Sequence, residues 1–157
     1  MTGRSRPDTR DAYPYFQLMN TRWMDNDSYR HMNNVTYYSF FDTVVNQYLI
    51  EKGVLDIEGS SVIGLVAETL CRYFKAIGFP SKVNVGLRVG HLGNSSVRYE
   101  IALFKDDEEI ASAQGHLVHV YVDRKSGQPV PMSGSLRSVL ADLSCSLGSG
   151  LPVSGSG

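Results

Sequence analysis

Asp25, Asp27, His31, Asn33 and Asn34 lie close together in RWMDNDSYRHMNNVTYYSFF, Arg22 to Phe41, just ahead of the chain's most apolar helical pattern. The aspartates fall where a first strand ends, and a helix begins a few residues later. A carboxylate and a set of unpaired backbone N–H groups therefore converge. Helix N-termini stabilise negative charge that develops beside them. Acyl transfer needs that pairing: one group to attack or to activate water, and N–H donors to hold a carbonyl oxygen as it becomes anionic. The spacing fits a plainer reading as well, in which Asp25 and Asp27 cap a loop, His31 fills a turn, and Asn33 and Asn34 start the helix.

Other chemistries fit the letters less well. A calcium loop would need an oxygen ligand where Tyr29 stands and glycine where Arg30 stands. No GxSxG elbow, P-loop or GxGxxG occurs. His116 and His119 are three apart on an expected strand, hence on opposite faces, and cannot share one metal. Cys71 and Cys145 stand outside any CxxC pair, so neither a zinc site nor a disulfide framework is expected.

The elements that must position the cluster can be read from periodicity. Tyr15 to Met24 predicts a first strand. From Asn34 to Lys52, apolar residues at Tyr37, Phe40, Phe41, Val44, Val45, Tyr48 and Leu49 repeat with helical period, with Asn33 or Asn34 as N-cap and Gly53 as the stop. Beyond it the period becomes two. Strands are predicted near Val62 to Phe74, through Val83–Val89 and Val97–Leu103, and from Ile110 to Val122, with turns at Gly93-Asn94 and Asp106-Asp107. One long helix wrapped by one curved, mostly antiparallel five-stranded sheet buries both apolar surfaces, an α+β architecture.

The whole chain sets outer bounds. Its 157 residues suit one domain, and a formal charge of -1 creates no field for a polyanion. Residues 1–14 are expected to form a loose arm, 15–128 the folded domain, and 129–157 a short helix around Leu136–Leu143 with a flexible Gly/Ser-rich tail. With no signal-like or membrane-spanning stretch, a cytoplasmic location is expected.

Taken in order, Asp25-x-Asp27, His31-x-Asn33-Asn34 and Tyr37-Tyr38-x-Phe40-Phe41 resemble the hotdog-fold acyl-CoA thioesterases of the 4-hydroxybenzoyl-CoA thioesterase type. The similarity continues through Glu68-Thr69, the Arg72-Tyr73-Phe74 strand end with its Pro80 turn, and Gly93-x-Ser95-Ser96, covering roughly Tyr15 to Asp123. The resemblance implies the hotdog fold, a homodimer or homotetramer with sites at the subunit interface, and hydrolysis of an acyl-CoA thioester without metal or organic cofactor. It places the catalytic carboxylate, nucleophile or general base, on Asp27. The polarising backbone N–H falls at about Asn34, and His31 and Asn33 orient the loop or the attacking water. Tyr37 and Phe41 would line the acyl pocket, while Glu68, Thr69, Ser95 and Ser96 would contact substrate. Some family members place histidine or tyrosine where Asn34 stands, a change that a backbone donor would survive.

Three alternatives follow from the same likeness. An acyl carrier protein could replace CoA. A hotdog enoyl-CoA hydratase would use an Asp-x4-His pair, which the spacings Asp27 to His31 and Asp25 to His31 do not supply. A non-catalytic acyl-CoA-binding protein would need an effector-binding partner domain, for which a chain of this length leaves no room. Arg72, Lys75, Lys82 and Arg88 are cations that could meet the phosphates of CoA.

Overall fold

In the computed structural model the described residues are 6–55 and 59–145, with the backbone alone described at Cys145. Five strands, β1 (Tyr15–Asn20), β2 (Val62–Tyr73), β3 (Lys82–Leu92), β4 (Ser96–Lys105) and β5 (Ala113–Asp123), accompany two α-helices, α1 (Asn34–Glu51) and α2 (Gly134–Cys145). The strands form one sheet in the order β1-β3-β4-β5-β2, with every neighbouring pair antiparallel. The turns at Gly93 and Asp106 join β3 to β4 and β4 to β5; in the first, the Gly93 N–H donates to Ser96 O at 2.8 Å.

Helix α1 runs for 18 residues because seven apolar side chains recur on the face toward the sheet. Asn33 caps it, its side chain accepting from the Val35 N–H, and Gly53 ends it at φ 72, where a side chain would be strained. Phe41, Val44 and Val45 interlock with Val83, Val85, Leu87, Tyr99, Ile101 and Leu103 in one buried core. The alternating pattern of β3 and β4 places these residues on a single face.

Several expected boundaries move. The first strand stops at Asn20, and Trp23–Asp25 is a short 3-10 turn instead of strand. Asp25 causes the change: its buried carboxylate accepts from the Arg22 N–H at 2.8 Å and winds the chain back on itself. Strand β5 begins at Ala113, since Ile110 forms only an isolated bridge to Thr9.

The arm expected through residue 14 is packed where it is described. Tyr13 is buried on the outer face of the sheet with Ala102, Phe104 and Ala111. Asp8 N–H donates to Gln114 Oε1 at 2.7 Å, and Arg10 Nε donates to Glu108 O at 2.7 Å. The far boundary also extends past residue 128. Val130 N–H donates to Tyr121 O, and α2 buries Leu136, Leu140 and Leu143 in the main core, where Tyr48 donates to Val139 O at 2.6 Å. The expected helix exists and belongs to the core; the Gly/Ser-rich tail from residue 146 lies outside the described residues. Among the described residues no helix is long and apolar enough to cross a membrane.

Candidate active site

The loop from Asp25 to Asn33 is held from below and from within. Asn33 N–H donates to Asp25 O and Met32 N–H donates to Ile77 O, which ties both ends of the segment to buried structure. Asn26 Oδ1 accepts from the Phe79 N–H at 3.0 Å. Gly78 makes this approach possible, because a Cβ there would stand 2.5 Å from Arg30 O. Inside the loop, Asp27 N–H donates to His31 O at 2.7 Å. Asp27 Oδ1 accepts from the N–H groups of Tyr29 and His31, at 2.8 and 3.2 Å.

Those bonds fix the Asp27 carboxylate while using only one of its oxygens. Asp27 Oδ2 has no hydrogen-bond partner among the described residues, and the residue is exposed. The N-cap uses its donors unevenly as well. Val35 N–H is taken by the Asn33 side chain and Thr36 N–H by Asn33 O, whereas Asn34 N–H has no partner among the described residues. Asp27 and Asn34 border one open groove of about 350 Å³, together with His31, Met32, Tyr37 and the end of β2 at Tyr73. The groove holds both parts that acyl transfer needs, a carboxylate oxygen and a spare N–H at a helix start.

Its apolar wall is an edge-to-face pair, Tyr37 on Tyr73 at 4.9 Å and 87°. Burial pushes both phenols above their usual range, so they remain neutral hydroxyls at ordinary pH. Beside them, burial raises the Cys71 thiol to about 11, which keeps it protonated and a poor nucleophile near neutrality.

The remaining expected residues separate. Asn33 is the cap and does not line the groove. Phe41, expected in an acyl pocket, is sealed in the core at 0% exposure, one turn too deep to reach the groove. Glu68 meets His116 at 2.6 Å, and Thr69 Oγ1 donates to His116 O. Ser95 lies in the β3–β4 turn, where its carbonyl O accepts from the Tyr121 N–H, and Ser96 opens β4. Within one chain these four do not join Asp27. Among the cations, Lys75 pairs with Glu108, and Arg88 with Glu100 and Asp8. Tyr73 is the wall residue that the sequence reading left unassigned; its aromatic side chain at a strand end, beside the Pro80 turn, was the available signal.

A family model described as the thioesterase-like superfamily matches residues 21–140. The chain belongs to that superfamily. Membership carries thioester hydrolysis as the general chemistry of the chain. Among solved structures, the PA5185 protein of Pseudomonas aeruginosa strain PAO1 is 54% identical, with 88% of this chain and 96% of that one covered and a TM-score of 0.85. PA2801 of Pseudomonas aeruginosa, described as a putative thioesterase, is 29% identical over 81% of this chain and 96% of its own, with a TM-score of 0.73. A DHNA-CoA thioesterase from Staphylococcus aureus, 18% identical over 81% of this chain and 88% of its own, shares the fold at a TM-score of 0.73. The architecture is the hotdog fold.

Proposed function

We propose that this protein hydrolyses an acyl-CoA thioester to the free acid and CoA, in the manner of the 4-hydroxybenzoyl-CoA thioesterase type. The observation that carries the reading is the groove shared by Asp27 and the Asn34 N–H, which has no partner among the described residues. A thioester carbonyl oxygen directed at Asn34 N–H gains a donor, with the positive end of α1 behind it, as negative charge accumulates. Asp27 Oδ2 then either attacks the carbonyl carbon, with departure of the thiolate and hydrolysis of the resulting anhydride, or removes a proton from an attacking water. His31 supplies backbone bonds that hold the carboxylate, and Tyr37 and Tyr73 offer an apolar wall to the acyl group. No metal or organic cofactor enters the reaction.

The site is further proposed to be completed by a second copy. β2 is a 12-residue edge strand with exposed Leu65, Val66 and Tyr73, and its last residue borders the groove. A long, apolar, unpaired edge is a template for pairing with another strand. Pairing of two β2 edges would set the start of one strand beside the other chain's groove and close its open side.

Thiol release from acyl-CoAs, short to long and aliphatic to aromatic, tests the reading. Release that disappears in Asp27→Asn supports it and ranks the acyl groups. A folded protein inert across the series but active on an acyl carrier protein thioester would transfer the reaction to that carrier.

A further inference from the structure

We propose that the outer face of the sheet, opposite α1 and outside the Asp27 groove, carries a binding site for one phosphate group. A pocket of about 190 Å³ opens there, bordered by Arg72 of β2, Arg88 of β3 and Arg98 of β4, with Asp8, Tyr13 and Glu100 among its other walls. Three strands thus direct guanidinium groups at one small volume. The two acids hold the arginines in place. Arg88 lies 4.5 Å over the Tyr13 ring, donates to Glu100 Oε1 at 2.8 Å and meets Asp8 at 3.4 Å, while Arg98 reaches the other Glu100 oxygen at 3.5 Å. Asp8 also accepts from the Tyr13 hydroxyl at 2.7 Å.

Arg72 is different. It borders the same pocket, yet among the described residues it has no ion pair or hydrogen-bonding side-chain partner. Among the side chains that border the pocket, three guanidinium groups meet two carboxylates, those of Asp8 and Glu100; the Glu68 carboxylate is engaged by His116, another border residue, at 2.6 Å, and Arg72 is the guanidinium without an ion-pair partner among the described residues. Arginine presents a planar fork of donors that matches tetrahedral oxyanions, and arginines already locked by carboxylates lose little freedom on binding one. The volume suits a single phosphate group and not a whole coenzyme. Such a group can come from free phosphate or from the nucleotide end of CoA, and the site stands whether or not the thioester reading does.

Thermal unfolding of the intact protein tests it. Midpoints are measured across a series of inorganic phosphate concentrations against sodium chloride at matched ionic strength. Phosphate should raise the midpoint saturably beyond chloride, and Arg72→Gln should require about tenfold more phosphate for the same rise. The general effect of phosphate on protein hydration is common to both proteins and cancels in that comparison. Arg98→Gln supplies the same readout should Arg72→Gln fail to fold. A phosphate response no larger than that of chloride, or one identical in wild type and variant, overturns the proposal. Adenosine 3′,5′-bisphosphate identifies the source. A rise that Arg72→Gln weakens shows that the pocket takes a nucleotide phosphate; a response confined to inorganic phosphate assigns the site to the free ion.

Discussion

The two sides of the Asn33–Asn34 junction differ in kind. Toward the sheet, Phe41, Val44, Val45, Val83, Val85 and Leu87 are all at 0% exposure. Toward the loop, Trp23 is 66% exposed, Met24 74% and Tyr29 78%. One side is held by packing; the other is held by backbone hydrogen bonds and leaves apolar side chains in the open. Among the described residues, this side leaves one Asp27 carboxylate oxygen and the Asn34 N–H without hydrogen-bond partners. The packed side fixes the direction of α1, and the open side uses that direction.

Substitutions should separate the two sides sharply. Phe41→Ala removes a fully buried ring, and we expect a loss of about 3–5 kcal/mol in chemical unfolding. Tyr29→Ala, on the open side, should stay within about 0.5 kcal/mol. Comparable losses from the two would show that the loop is as tightly packed as the core. Asn33→Ala tests the junction itself. Without the side-chain acceptor the Val35 N–H is orphaned, and stability should fall by about 1 kcal/mol, measured in the same way.

The smallest effect concerns acid. His119 is buried against Tyr99, and burial lowers its pKa in the folded state. Protons then bind the unfolded chain more readily than the folded one. The stability this supplies is present above the ordinary imidazole value of about 6.5 and is lost as pH falls toward the folded-state value. Between pH 7.5 and pH 5, His119→Leu should lose less of its unfolding midpoint than wild type does; equal losses would mean that the ring titrates normally.

The legibility of the sequence followed the same division. Helix α1, its Asn33 cap, its Gly53 stop and the alternating strands β3 and β4 were readable because each is written in local periodicity. The packed arm was not: Tyr13 finds Phe104, and Asp8 finds Gln114, across most of the chain, and no local pattern marks such a meeting. Asp25 ended the first strand early through one carboxylate contact that strand periodicity does not register. At the site, Asp27, His31, Asn34 and Tyr37 border one groove. Phe41 did not, because helical period gives a residue's face but not its depth. Glu68, Thr69, Ser95 and Ser96 remain apart from Asp27 within one chain, and the proposed pairing of β2 edges is the arrangement in which contributions from a second copy would enter.

In the proposed reaction Asp27 performs the chemistry and Asp25 only supports the loop. Asp25 is buried in its contact with Arg22, whereas Asp27, at the groove, has one oxygen without a hydrogen-bond partner among the described residues. The most direct test is kcat for thiol release from whichever acyl-CoA the wild type turns over fastest, measured for Asp27→Asn and Asp25→Asn with folding checked by circular dichroism. Asp27→Asn should fall by at least about a hundredfold, and Asp25→Asn by less than about tenfold. Equal losses, or an Asp27→Asn enzyme that retains full turnover, would contradict the assignment.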